Sequence, residues 1–316
     1  MRKLLITRPL PDAVIAAAKM RYDTTVRDNT APLTPDELRA ALRDYDAILP
    51  TLGDLFRADV FADVPQPRAK ILANFGVGYN HIDALAARGA GIAVTNTPGA
   101  VTDATADVAM TLLLMTARRA GEGERLVRAG SWAGWHPTQM LGTHVTGAQV
   151  GIIGMGRIGK AIARRCHFGF GMGVVFHNRS VVTDPGCPAR QVPMAQAMAA
   201  DFVIVAVPGS PATHHLINAE TLHCMRPQGI LINISRGDVV DEAALIAALQ
   251  SGQIAGAGLD VYEFEPQIPA ALLGMENVTL LPHLGTAVPG VRQAMGMMAV
   301  DNLIAHLDGK SLPNAV

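Results

Sequence analysis

The chain has 316 residues, 49% of them hydrophobic, 17% charged and only 4% aromatic, with 31 glycines and 20 prolines. This balance excludes a disordered chain and suits the turns and aliphatic layers of an α/β protein better than an aromatic-rich β-sandwich, and the length predicts two domains. A net charge of −1 leaves no basic excess to neutralise a nucleic-acid backbone, although a local anion site is invisible in net charge.

Arg2 and Lys3 precede only Leu4-Leu5-Ile6 before Thr7-Arg8-Pro9, too short an apolar run for a secretory signal. The densest later stretch, Val108 to Met115, falls far short of the ~20 residues of a membrane span. A cytoplasmic protein with no membrane or nucleic-acid partner is expected. Leu4-Leu5-Ile6 predicts a strand and Pro11 to Lys19 a helix. Thr34-Pro35-Asp36-Glu37 opens the next helix, with Thr34 as cap, Pro35 at the first helical position and Glu37 completing a capping box. Ala47-Ile48-Leu49, Ile71-Leu72-Ala73 and Ile92-Ala93-Val94 are further strands, so a parallel sheet with crossover helices is predicted. Pro98-Gly99 interrupts the pattern, and one long helix is predicted from about Ala104 to Ala129. Gly130 to Gly147 is glycine-rich and irregular, holds both Trp132 and Trp135, and reads as an arm reaching a partner subunit. A second series runs through Val150–Ile153, Val174-Val175-Phe176, Phe202–Val205, Ile230-Leu231-Ile232 and Gly256–Leu259, and a last helix is predicted from about Val288 to Leu307.

The strand Val150–Ile153 runs into Gly154-Met155-Gly156-Arg157-Ile158-Gly159. This is G-x-G-x-x-G between a strand and a helix, the context in which it binds a dinucleotide. The first glycine permits the turn, the second lets backbone approach a pyrophosphate, the third lets helix and strand pack closely, and the helix N-terminus presents free N–H groups to the phosphates. NAD-binding versions place a carboxylate ~20 residues on, to bind the ribose hydroxyls. Here the second strand ends in His177-Asn178-Arg179-Ser180, with no carboxylate. An Arg fork pairs with a 2′-phosphate that a carboxylate would repel, and Asn178 and Ser180 can add hydrogen bonds, so NADPH/NADP is expected in preference to NADH/NAD.

Strand ends also hold Arg236, Asp260, Glu265 and His283. Ligands of open parallel sheets bind beyond the carboxyl ends of the strands, so these four can converge on one ligand. Reduction of a 2-oxo acid needs a proton donor, which a histidine supplies near neutral pH. Glu265 would fix the His283 imidazole, and Arg236 would clamp the substrate carboxylate. No metal site is expected: Cys166, Cys187 and Cys224 are scattered, and the adjacent His214-His215 lacks a nearby ligand set.

Taken in order, Asn74-Phe75-Gly76-Val77-Gly78-Tyr79-Asn80-His81-Ile82-Asp83, Asn96-Thr97-Pro98-Gly99, the glycine loop, Ile234-Ser235-Arg236-Gly237, Leu259–Pro266 and Pro282-His283-Leu284-Gly285-Thr286 resemble the D-isomer-specific 2-hydroxyacid dehydrogenase family over essentially the whole chain. The fold expected is α/β: two Rossmann-like or flavodoxin-like domains with parallel sheets and the active site in the cleft between them. Residues 1–99 with 287–316 would bind substrate. Residues 100–286 would bind the dinucleotide and include a dimerisation arm at about 120–147. The resemblance implies Arg236, Glu265 and His283 as the catalytic triad and Asp260 on the nicotinamide carboxamide. Thr105, Val207, Pro208, Thr213, Ile234, Ser235, Gly285 and Thr286 join the glycine loop as the expected cofactor-binding set. Leu52, Val77, Gly78 and Trp135, with Arg236 and His283, form the expected substrate set, and a homodimer is implied. The segments Phe176–Ser180 and Ser131–Pro137 are similar to those of NADP-preferring glyoxylate and hydroxypyruvate reductases, in which an arm tryptophan enters the partner's pocket; Trp135 is the candidate. Asp107 stands where the family usually has Glu. A reductase of bulkier 2-oxo acids and a dinucleotide-sensing protein like the family's corepressors stay open as alternatives.

Overall fold

A computed structural model describes all of residues 1–316, and the chain divides into two compact units: Met1–Val101 with Ala287–Val316, and Thr102–Thr286. The first holds a five-stranded parallel sheet of β1 (Lys3–Ile6), β2 (Asp23–Val26), β3 (Ala47–Leu49), β4 (Ile71–Ala73) and β5 (Ala93–Thr95), in the order β2-β1-β3-β4-β5. Its inner strands β1, β3 and β4 carry short apolar runs because both faces are covered. Leu4, Ile6, Ala47, Leu49, Ile71 and Ala73 point to one face, where they meet Val14 and Ala18 of the Asp12–Lys19 helix and Ala299, Val300 and Leu303 of the Pro289–Leu307 helix. Leu5, Ile48, Leu72 and Val94 point to the other, against Leu38, Leu42 and Phe61. The predicted capping box is present: Thr34 Oγ1 accepts from Glu37 N–H and Glu37 accepts from Thr34 N–H.

The second unit holds seven parallel strands: β6 (Gln149–Ile153), β7 (Gly173–His177), β8 (Arg190–Gln191), β9 (Phe202–Val205), β10 (Ile230–Asn233), β11 (Gly256–Leu259) and β12 (Val278–Leu280), in the order β12-β11-β10-β9-β6-β7-β8. Strand order reverses between β6 and β9, and this switch point is where an open α/β sheet leaves a crevice for ligands. Val150, Ile152, Phe176, Ile204 and Ile232 face the Thr102–Ala117 helix, whereas Val175, Val203, Val205, Leu231 and Leu259 face a second core with Leu245 and Leu249.

Three expectations need correction. The single long helix is two, Thr102–Ala117 and Ala120–Arg128, broken at Arg119, whose φ of 53° is left-handed. There the Ala117 carbonyl accepts from Thr143 N–H, and the Arg119 guanidinium pairs with Glu122 at 2.7 Å. The edge strands β2 and β8 were not anticipated. One is the half-exposed Asp-Thr-Thr-Val and the other only two residues long, so neither carries the buried apolar run by which the inner strands are read.

Candidate active site

β6 delivers the glycine loop to the switch point. Gly154 has φ +101°, and a Cβ there would lie 2.7 Å from the Ala206 carbonyl oxygen; at Gly159 it would lie 2.1 Å from that of Gly154. These two glycines are required by the fold itself. Gly156 differs: nothing in the chain lies within 4 Å of where its Cβ would be. Gly156 is also the N-cap of the Arg157–Arg164 helix, which therefore begins with no side chain on its N–H groups. An open, uncapped helix start beside a bare backbone has the geometry to receive an anionic group such as a phosphate. At the end of β7, Asn178 Oδ1 accepts from Met155 N–H at 3.2 Å, and its amide nitrogen donates to the Ser180 carbonyl at 2.9 Å and to Ser180 Oγ at 3.2 Å. A carboxylate at 178 could not donate to the Ser180 carbonyl. Arg179 is exposed and joins no ion pair.

The ends of β10, β11 and β12 bring the polar candidates together. Asn233, 1% exposed, accepts from the Ser235 N–H and hydroxyl and donates to the Arg236 carbonyl, so it shapes the turn that carries Arg236. A Cβ on Gly237 would fall 1.8 Å from the Tyr262 carbonyl carbon. Backbone thus rests on backbone here, and only glycine lets the Arg236 segment touch the one bearing Glu265. His283 Nδ1 lies 2.8 Å from Glu265 Oε2, each side chain 30% exposed, while Glu265 Oε1 accepts from Tyr262 N–H at 3.0 Å. Burial pushes the Glu265 pKa up, but His283, the Tyr262 N–H and the nearby Arg236 charge outweigh it and hold the carboxyl below its ordinary range. Burial pulls Arg236 down, against the opposing charges of Glu265 and Asp238.

Asp260, 1% exposed, organises the histidine. Its carbonyl accepts from His283 N–H at 2.9 Å, and its carboxylate accepts from Leu284 N–H at 2.6 Å and Gly285 N–H at 2.8 Å. Burial raises the Asp260 pKa, while those two N–H groups lower it. Held this way, His283 takes φ 54°, a left-handed conformation uncommon for a side-chain-bearing residue and costing about 1 kcal/mol.

In the first unit, Asn74 donates to the carbonyls of Gly76 (3.0 Å) and Gly78 (3.1 Å), and Asn96 donates to that of Val77 (2.8 Å). The N–H groups of Val77 and Gly78 are left with no partner in the chain, a donor pair suited to a carboxylate. Leu52 is 40% exposed on a loop pinned from beneath: Arg8 donates to its carbonyl, and the fully buried Asp54 collects Thr7 Oγ1, Thr51 N–H and Leu33 N–H.

Residues 110–285 match the family model "D-isomer specific 2-hydroxyacid dehydrogenase, NAD binding domain". A glyoxylate reductase of Thermococcus onnurineus is 42% identical over 321 residues, covering 99% of this chain and 95% of its own. A glycerate dehydrogenase of Hyphomicrobium methylovorum is 34% identical over 320 residues, covering 100% and 99%. The crystal structure of the NADPH-dependent glyoxylate/hydroxypyruvate reductase of Sinorhizobium meliloti, in complex with NADP and malonate, superposes with a TM-score of 0.87 at 38% identity, covering 100% of this chain and 96% of that one. The chain belongs to the D-isomer-specific 2-hydroxyacid dehydrogenases.

Several side chains of this dehydrogenase are engaged by their own neighbours. Thr105 Oγ1 donates to the Gly285 carbonyl at 3.0 Å, and Thr213 Oγ1 donates to that of Pro208 at 2.7 Å, fixing the turn after Val207. Ile234 and Ser235 are buried, Thr286 partly so. Asp107 Oδ1 takes a 2.8 Å bond from Arg165 Nε, so the shorter carboxylate keeps a partner. Trp135 is 79% exposed and Trp132 53%. One reading is overturned: His214-His215 does have an acidic neighbour. His215 Nε2 lies 2.8 Å from Glu263 Oε1, and the ligand atoms of His214, His215 and Glu263 lie within 4.8 Å of one another. Glu263 sits 48 residues from His215, beyond any spacing rule, and its other oxygen accepts from Glu242 N–H at 3.4 Å. Glu242 accepts from Glu263 N–H in return at 3.0 Å, and its Oε2 is buried without a partner. The motifs do not announce the roles of Asn74 and Asn96; asparagine at a strand's carboxyl end is the available signal. No helix is long and apolar enough to cross a membrane.

Proposed function

We propose that this dehydrogenase uses NADPH to reduce a small 2-oxo acid, glyoxylate or hydroxypyruvate, to glycolate or D-glycerate. The observation that carries the reading is the 2.8 Å pairing of His283 with Glu265 beside the Arg236 charge. Glu265 holds Nδ1, which turns Nε2 toward the substrate as the proton donor. The ionised carboxylate stabilises the imidazolium before transfer and fixes the neutral tautomer after it. Arg236 neutralises the substrate carboxylate and polarises the adjacent carbonyl. The nicotinamide, when bound, supplies a hydride to the carbonyl carbon, and His283 gives the carbonyl oxygen its proton and recovers one from solvent.

The residues fit such a cofactor. The open space at Gly156 and the uncapped helix suit its pyrophosphate. Arg179 and Ser180 suit a 2′-phosphate, and Thr105, Val207, Pro208, Thr213, Ile234, Ser235, Asp260, Gly285 and Thr286 complete the set assigned to it. The free N–H groups of Val77 and Gly78 suit a carboxylate. The exposed indoles of Trp132 and Trp135 support a homodimer joined through the arm, with Trp135 walling the partner's pocket against bulky acids.

Steady-state kinetics with glyoxylate, hydroxypyruvate, 4-hydroxyphenylpyruvate and 2-ketogluconate, each with NADPH and NADH, tests the reading. Glyoxylate and hydroxypyruvate with NADPH should give the highest kcat/KM. An aryl pyruvate that outruns them, or a large preference for NADH, overturns it.

A further inference from the structure

β8 is only Arg190–Gln191, hydrogen-bonded at the sheet edge beside Val175 and Phe176 of β7. Gln191 is half-buried, and its side chain makes three bonds to one short loop. Its Nε2 donates to the Asn178 carbonyl (3.0 Å) and to the Ser180 carbonyl (3.0 Å), and its Oε1 accepts from Val182 N–H (3.0 Å). The partners dictate the orientation of the amide: two carbonyls require the nitrogen, and one N–H requires the oxygen. One side chain thus fixes three backbone groups across residues 178–182. The loop is also tied at its other end, where Asn178 accepts from Met155 N–H of the glycine loop.

With these backbone groups engaged, Arg179 and Ser180 are two exposed side-chain donors on the loop. Arg179 is exposed and outside every ion pair, and the Ser180 hydroxyl oxygen accepts from Asn178, which leaves its hydrogen to donate outward. A guanidinium and a hydroxyl on a fixed loop suit a phosphate monoester, whereas a ribose lacking that phosphate gains only weaker, neutral hydrogen bonds from the arginine.

We propose that Gln191 is a specificity-determining positioning residue: its side-chain amide presets the 178–182 loop so that Arg179 and Ser180 meet the cofactor's 2′-phosphate. This rests on the NADPH reading above. Gln191 acts through the loop, since its side-chain bonds all go to that loop's backbone. A preset loop binds without the ordering cost that a loose one incurs, and a donor side chain plus its loop account for a factor of about 10 in affinity.

The test compares the wild type with Gln191→Met, close in volume but without donor or strong acceptor, and with Gln191→Leu. Two probes are titrated calorimetrically: adenosine 2′,5′-bisphosphate, which carries the 2′-phosphate, and 5′-AMP, which lacks it. Both variants should bind the bisphosphate about 10-fold more weakly and 5′-AMP within about 2-fold of wild type. In turnover, KM for NADPH should rise while kcat and KM for NADH stay unchanged. A purely structural role would lower the melting temperature and weaken both probes together, and that result overturns the proposal. If the wild type itself does not discriminate between the probes, the NADPH reading fails and this proposal with it. If it discriminates and the variants do so equally well, the Gln191 proposal alone fails. Amide exchange in the free wild type gives a check that needs no variant: the Val182 N–H should be protected, and rapid exchange there would overturn the preset loop.

Discussion

Gly156→Ala separates what the fold needs from what a ligand needs. The backbone at Gly156 has φ −79° and ψ −163°, extended geometry open to alanine, and no atom of the chain lies within 4 Å of the new methyl. Folding should therefore be unharmed, or favoured by about 0.4–1 kcal/mol because alanine narrows the unfolded ensemble. The methyl would project where a pyrophosphate must approach the helix N–H groups. Displacing the phosphate from one charge-assisted hydrogen bond forfeits about 1.5–3 kcal/mol, a factor of roughly 10–150 in affinity. Gly159→Ala is the contrasting control, since its Cβ would stand 2.1 Å from the Gly154 carbonyl oxygen and must push the turn aside at about 1–3 kcal/mol. Thermal melts and fluorescence titration with NADPH measure both quantities. Gly156→Ala should melt at or slightly above wild type and bind at least ~10-fold more weakly, whereas Gly159→Ala should lose both stability and affinity. If Gly156→Ala binds within about 3-fold of wild type, the open space does not serve the pyrophosphate and the cradle argument fails.

Glu265→Gln should lower kcat by roughly 100-fold with little change in cofactor affinity, because an amide cannot stabilise the imidazolium; near-normal turnover would remove Glu265 from the mechanism. The same pair gives a pH prediction. The Glu265 carboxyl is held below its ordinary range, so its stabilising contribution is present above an unfolded carboxylate's pKa of about 4.3 and is lost as pH falls through the folded value. In acid titrations followed by melting temperature, wild type should fall more steeply than Glu265→Gln. Glu242 has the opposite sign: burial, with the charges of Glu263 and Glu265, raises its pKa against the Glu263 N–H. Its ionisation destabilises the fold as pH rises, so Glu242→Gln should melt about 1–3 °C higher at pH 8, with the gain vanishing near pH 4. A gain that persists in acid would mean that charge is not the cause. Gly237→Ala, with its Cβ 1.8 Å from the Tyr262 carbonyl carbon, should cost about 4 kcal/mol or more in a denaturant melt.

What could be read from the sequence follows burial. The inner strands β1, β3, β4, β6, β9 and β10 are covered on both faces, so each appears as an unbroken apolar run, and the glycine loop is legible because strand and helix flank it. Edge strands β2 and β8 lack that burial and left no such mark. Arg236, Glu265 and His283 were legible as polar residues at successive strand ends, since parallel topology puts those ends on one side. The residues packed around such loops were not. Gln191, Glu242 and Glu263 make hydrogen bonds to groups well separated from them in sequence, with no period or spacing to announce them. The break at Arg119 was equally hidden, because it depends on a carbonyl captured by Thr143 N–H rather than on a proline or glycine.

The three successive N–H groups drawn onto Asp260 bear on when the site is assembled. His283, Leu284 and Gly285 are tied to a residue buried just beyond β11, so this turn loosens only if that end of the sheet loosens with it. The left-handed histidine is therefore set during folding, and no local rearrangement of its backbone is left for each turnover. Heat should then abolish turnover and sheet structure in a single transition, since the turn has no melting of its own.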